Sequence, residues 1–125
     1  MIERLGQRPK MPGGGLAAYS PMVRAGGFVF VSGQLPFDPE RRIVPGGIAE
    51  HTQQCYGNVR ALLQTIGYDL SDIVKTVNYL AKKEGFGGFN QAYAVIFGDQ
   101  LPARSTVRVD LLMPACLEVD VIAFK

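Results

Sequence analysis

Between Ile48 and Ile66, Ile48, Thr52, Cys55, Val59, Leu62, Leu63 and Ile66 recur at spacings of three and four. That rhythm brings them onto one face only if the segment is an α-helix. Gly47 can open the helix, and Gly67 stands where a left-handed C-terminal cap is wanted. A helix with one apolar stripe must lay that stripe on another layer of structure, and the flanking segments read as the strands of such a layer.

After the helix, "SDIVKTVNYLA" alternates Ile73, Lys75, Val77 and Tyr79 against Val74, Thr76, Asn78 and Leu80, a strand entered through Ser71 and Asp72. Upstream, "MVRAGGFVFVSGQ" reads as two short strands around a Gly26-Gly27 turn. "MPGGGLAAYSP" (Met11 to Pro21) is a glycine-rich loop, and "LPFDPERRIVPGG" is turn-rich with one short strand at Arg42 to Val44. A second helix carries Phe86, Phe89, Asn90, Tyr93 and Phe97 on one face and stops at Gly98. Two strands close the chain, Arg104 to Leu111 and Leu117 to Phe124, separated by "LMPAC". The order describes an α+β domain with two helices on one face of a mixed sheet. The other face keeps apolar side chains that nothing in a domain this small can cover, so self-association is expected.

The 125 residues suit one domain, 1–125. With 47% hydrophobic and 19% charged residues the chain is globular in composition. Thirteen Lys and Arg against eleven Asp and Glu leave a net charge of +2, with no basic run, which argues against a nucleic-acid partner. No apolar stretch reaches the roughly 18 residues of a membrane span. "MIERLGQRPK" lacks the apolar core of a secretory signal, so a cytoplasmic protein with no membrane partner is expected. Cys55, Cys116 and the single His51 make no metal set, and a reducing compartment disfavours a disulfide. Cys55 lies on the helical stripe and should be buried, Cys116 should be partly exposed, and His51 should face solvent.

"VSGQLPFDP", "NVRALLQTIG", "DIVKTVNYL", "FNQAYAVIFG", "LPARSTVRV" and "LEVDVIAF" stand in an order and spacing that resembles the reactive-intermediate deaminase (Rid, or YjgF) family, from about Tyr19 to Phe124. The resemblance implies a chorismate-mutase-like α+β fold. It also implies a homotrimer whose sheets line a central barrel, with ligand sites in the clefts between subunits. Many members hydrolyse enamines and imines such as 2-aminoacrylate to a 2-keto acid and ammonia, using no cofactor and no metal.

Within that resemblance Arg104 matches a carboxylate-binding arginine, and the chemistry suits it. A guanidinium is planar, always charged, and makes two parallel bonds to a carboxylate. Ser105 and Thr106 follow, and the family's water is held by backbone carbonyl near here. Some members have cysteine at Thr106, so no side-chain nucleophile is required. Tyr19 matches an aromatic that packs over the ligand, although Pro21 in "YSP" replaces a common glutamine. Ser32, Gly33 and Gln34 end a strand, where Gly33 would let a ligand approach the backbone. Asn90 matches a site asparagine and, as an amide on an apolar face, needs partners. Asp120 is assigned the position of a water-orienting glutamate. It is shorter by one methylene, about 1.3 Å of reach, and Glu118 shares its strand face. Three function classes remain open at this stage. The first is deamination of 2-aminoacrylate or of a larger enamine such as 2-aminomuconate. The second is non-catalytic binding of small carboxylates through Arg104. The third is ribonuclease or translation-inhibitor activity, disfavoured by the weak net charge.

Overall fold

The computed structural model describes residues 1–125. Six strands, β1 (Ile2–Leu5), β2 (Met22–Ala25), β3 (Phe28–Gln34), β4 (Ile73–Leu80), β5 (Ala103–Arg108) and β6 (Leu117–Phe124), form one sheet in the order β1-β2-β3-β6-β4-β5. All neighbours are antiparallel except β4 and β5. That parallel pair needs a crossover, which α2 (Phe86–Phe97) supplies. The other helix, α1 (Ile48–Gln64), lies between β3 and β4 in the chain.

The alternation in β6 decides where the core sits. Leu117, Val119, Val121 and Ala123 are buried beneath the helices, and Glu118 and Asp120 project from the opposite face. Cys55, Val59 and Leu63 of α1 and Phe89, Tyr93 and Phe97 of α2 complete the core cluster. The sequence-based α1 begins and ends where expected. Glu50 accepts a hydrogen bond from the Gly47 N–H (2.8 Å), and Tyr68 N–H reaches back to the Leu63 carbonyl (3.0 Å) across Gly67, which has φ +80°. The outer sheet face carries exposed apolar side chains, as expected: Phe28, Phe30, Val107 and Phe124 are 43–50% exposed, and Phe28 packs on Phe124 with ring centroids 4.8 Å apart.

Three expectations are corrected and one strand is added. The chain begins with β1, which pairs Ile2 with Ala25 and extends the sheet by a strand the sequence does not announce. Arg42 to Val44 forms no strand, only a single bridge from Ile43 to Phe37. β5 stops at Arg108 rather than Leu111, because β4 ends at Leu80 and the Val109 N–H takes its last carbonyl (2.9 Å). His51 does not face solvent; it is 4% exposed. Its Nε2 faces the Val44 carbonyl (2.9 Å) and its Nδ1 accepts from the Cys116 N–H (3.1 Å), so the ring ties the start of α1 to the segment leading into β6. Cys55 is buried and Cys116 partly so, and both are free thiols. No helix is long and apolar enough to cross a membrane.

Candidate functional site

Arg104 stands on the edge strand β5, in register with Thr76 of β4. Thr76 is fully buried and hydrogen-bonds the Tyr93 hydroxyl of α2 (2.8 Å), so Arg104 projects on the helix face. Its guanidinium lies over the Tyr93 ring, 4.9 Å from the centroid, with Phe89 and Phe86 at 5.5 and 5.8 Å. Nη1 donates to Asn90 Oδ1 at 2.8 Å. Asn90 is thus the partner that the apolar face of α2 offers the arginine. No carboxylate pairs with Arg104 within the chain; the four ion pairs are Arg24–Glu3, Arg42–Asp38, Arg42–Glu40 and Arg60–Asp69. The aromatic bed and Asn90 hold a charged, oriented fork at the sheet edge.

The backbone around it is equally ordered. Ser105 O accepts from Asn78 Nδ2 of β4 (3.3 Å), and Val109 N–H donates to Leu80 O. Odd-numbered residues of β5 therefore turn their backbone groups toward β4. By the alternation of a strand, Arg104 and Thr106 turn theirs to the open edge. The Thr106 hydroxyl is buried and has no hydrogen-bond partner. The Ser105 hydroxyl lies on the other face, accepting from Lys75 Nζ (3.0 Å).

A second group of expected residues gathers elsewhere. Tyr19, Ser32, Gly33 and Gln34 line an open cleft of about 870 Å³ between the end of β3, the following loop and one side of α1. Ser32 Oγ donates to the Ser20 carbonyl (2.6 Å), fixing the Tyr19 loop against β3. Two acids line this cleft: Asp38, which is paired with Arg42, and Glu118, which sequence reasoning noted only as a companion of Asp120. Gly33 makes its place: a Cβ there would overlap Glu118 Oε2. Glu118 makes no hydrogen bond or ion pair within the chain. Burial pushes its carboxyl above the ordinary range, and the neighbouring Asp120 adds to the shift. Asp120 faces a smaller cleft of about 300 Å³, shared with Gly33, Tyr79 and Glu118. It accepts a hydrogen bond from the Tyr79 hydroxyl at 2.9 Å, which keeps that phenol protonated above its usual range. Tyr79 was not singled out from sequence; its signal is its place on the same strand face, opposite Glu118 in register.

The two groups are not adjacent in one chain. β5 lies three strands from β3, about 14 Å by ordinary sheet spacing, and Arg104 and Glu118 project from opposite faces. No cluster of three or more His, Cys, Asp or Glu side chains has the arrangement of a metal site.

Known proteins share this arrangement of elements. The family model described as Endoribonuclease L-PSP matches residues 12–125. A RutC family protein of Pyrococcus horikoshii is 38% identical over 112 residues, covering 88% of this chain and 89% of that protein. A rat protein named 2-iminobutanoate/2-iminopropanoate deaminase is 36% identical over 112 residues, covering 88% and 82%. The crystal structure of yeast Mmf1 superposes with a TM-score of 0.89 at 36% identity, covering 100% of this chain and 99% of that one. With a match over nearly its whole length and relatives of this identity, the chain belongs to the YjgF/Rid family, the family of the Endoribonuclease L-PSP model.

Proposed function

We propose that this protein is an imine and enamine deaminase. It would hydrolyse small 2-imino acids of the 2-aminoacrylate type to 2-keto acids and ammonia, at sites assembled between the subunits of a homotrimer. The observation that carries the reading is the division of the site. One face of the chain offers a carboxylate fork without a carboxylate, and the other offers a cleft with an unpaired acid whose protonated form burial favours. A molecule a few ångströms long cannot touch both within one subunit. The uncovered phenylalanine face of the sheet supplies a reason for subunits to meet.

In the reaction, Arg104 binds the substrate carboxylate through two N–H groups while Asn90 and the Tyr93 ring keep the guanidinium in plane. The protonated imine carbon is the electrophile. Water attacks it, losing a proton to the Glu118 carboxylate, and the C=N bond becomes a C–N single bond. Glu118 then returns that proton to the nitrogen, the C–N bond breaks, and the adduct hydroxyl becomes the keto oxygen by giving its proton to the Glu118 carboxylate as ammonia leaves; that proton serves the next imine nitrogen. We assign proton transfer to Glu118 because it lies unpaired in the cleft and burial shifts its carboxyl upward. Asp120 acts through its charge on Glu118, anchored by Tyr79. The Thr106 backbone at the strand edge completes the water's surroundings. Substrates of this kind already hydrolyse in water, so orientation and one proton relay suffice.

The test generates 2-aminoacrylate in place with a pyridoxal-phosphate enzyme acting on serine. Ammonia and pyruvate release are then followed with and without this protein. Release above the spontaneous rate supports the reading. A protein that binds 2-ketobutyrate and accelerates nothing would instead be a carboxylate-binding protein.

A further inference from the structure

On the helix face of the three central strands β3, β6 and β4, fully buried polar side chains stand only behind Arg104 and Thr106. At the two β4 positions in register with them stand Thr76 and Asn78, both 0% exposed. Elsewhere the same layer is built from Val29, Val119, Val121 and Leu117. Burying an amide here requires partners, and the chain supplies them in full. The Tyr56 hydroxyl of α1 donates to Asn78 Oδ1. Asn78 Nδ2 donates to Thr76 Oγ1 (3.1 Å) and to the Ser105 carbonyl (3.3 Å). Thr76 Oγ1 is also bonded to the Tyr93 hydroxyl (2.8 Å). Tyr56 and Tyr93 stack edge to face, centroids 5.6 Å apart. Burial pushes both phenols up.

This array reaches the arginine strand at two places. One is the Ser105 carbonyl, between Arg104 and Thr106. The other is the Tyr93 ring, on which the Arg104 guanidinium rests. A valine at position 78 and a leucine at position 56 would fill the same space with no polar group to satisfy, so core packing alone gives no reason for the amide.

We propose that Asn78, oriented by Tyr56, is a positioning residue for the substrate-binding strand. It holds the Ser105 peptide so that Arg104 and Thr106 turn outward, and through Thr76 it fixes the tilt of the Tyr93 ring beneath the guanidinium. The inference rests on reading Arg104 to Thr106 as the carboxylate-binding strand. It adds a specificity consequence. A rigid anchor favours a short 2-keto or 2-imino acid whose carboxylate and reacting carbon are adjacent, because a fixed fork fixes that carbon too.

The test uses Tyr56→Phe/Asn78→Leu. It removes both partners at nearly constant volume, so no new buried group is orphaned: Thr76 keeps Tyr93, and Ser105 keeps its place in the β4–β5 ladder. The readouts are the dissociation constant for 2-ketobutyrate by titration calorimetry, kcat and KM on 2-aminoacrylate, and the thermal midpoint. Tyr56→Phe alone, which only frees the amide to turn, serves as the milder variant, and Arg104→Ala is measured beside them. We expect the double variant to keep its midpoint within a few degrees while the 2-ketobutyrate affinity and kcat/KM fall on the order of tenfold, as loss of about one hydrogen bond's worth of order implies. Tyr56→Phe should move the same values in the same direction by less. If Arg104→Ala loses binding while both network variants bind and turn over like the parent, the inference is overturned and the site reading stands. If Arg104→Ala also keeps full binding and turnover, the site reading falls and takes the inference with it.

Discussion

Replacing Arg104 tests the centre of the argument, and the structure sets the size of two separate effects. In the free protein the side chain makes one hydrogen bond, to Asn90, and rests on three aromatic rings at a part-exposed position. Contacts of that kind contribute about 1 kcal/mol each or less. Arg104→Ala should therefore lower stability by no more than about 1–2 kcal/mol and leave the fold intact. The substrate carboxylate stands to lose two charge-assisted bonds of about 1.5–3 kcal/mol each. The cost in kcat/KM is then about 3 kcal/mol or more, on the order of a hundredfold or greater. Arg104→Lys keeps the charge but not the fork, so it should fall between. Steady-state turnover of 2-aminoacrylate, thermal melting and light scattering on the three forms separate these effects. An alanine variant that is stable, assembled and fully active would refute the anchor role. One that unfolds or dissociates would show that Arg104 works for the architecture.

Glu118→Gln should lower kcat by about a hundredfold or more, the usual scale of a lost acid–base group, while 2-ketobutyrate still binds. It should also raise the thermal midpoint at neutral pH. The sign follows from the upward shift of the folded carboxyl: the folded state holds a proton that the unfolded state has released, so the parent loses stability as pH rises through that window. The glutamine variant escapes this loss, and the gap between the two should close toward pH 4; a gap independent of pH would contradict the shift. For the assembly, Phe30→Lys on the open sheet face should turn a particle of three times the 13.6 kDa chain mass into a monomer, read by light scattering. A parent protein that already runs as a monomer at micromolar concentration would remove the reason for the exposed phenylalanines.

The elements legible in the sequence are those whose signal is local. α1, α2, β4 and β6 each carry a period that water and core impose on neighbouring residues, and their limits fall within a residue or two of expectation. β1 has four residues, and its pairing with β2 is twenty residues away, so nothing nearby marks it. His51 looked like a solvated helix start because its partners, Val44 O and Cys116 N–H, are backbone groups with no sequence signature. The same limit divides the site. Arg104 is visible because proline, arginine and two hydroxyl residues open a strand together. Glu118 is not, because its place depends on Gly33 lying opposite it across a strand pair. Asn78 did leave a trace: an amide on the strand face it shares with Val74, Thr76 and Leu80.

The separation of Arg104 from Glu118 leads to the sharpest test of where the site is. If each site takes its fork from one subunit and its acid from the next, Arg104→Ala and Glu118→Gln spoil different halves. Each variant assembled alone should fall about a hundredfold or more. Trimers assembled at random from equal amounts of the two variants contain some sites with both halves intact. The fork must come from a Glu118→Gln subunit and the acid from an Arg104→Ala subunit. These are two independent one-in-two choices, so about one quarter of all sites should work, as a cyclic head-to-tail interface requires. Co-expression of the two variants, or refolding of their mixture, followed by the 2-aminoacrylate assay, gives the fraction directly. Were both halves used within one chain, every site in the mixture would carry one defect and activity would stay at the level of the separate variants. Recovery near a quarter, against the residual activity of the unmixed controls, would place each site across two subunits.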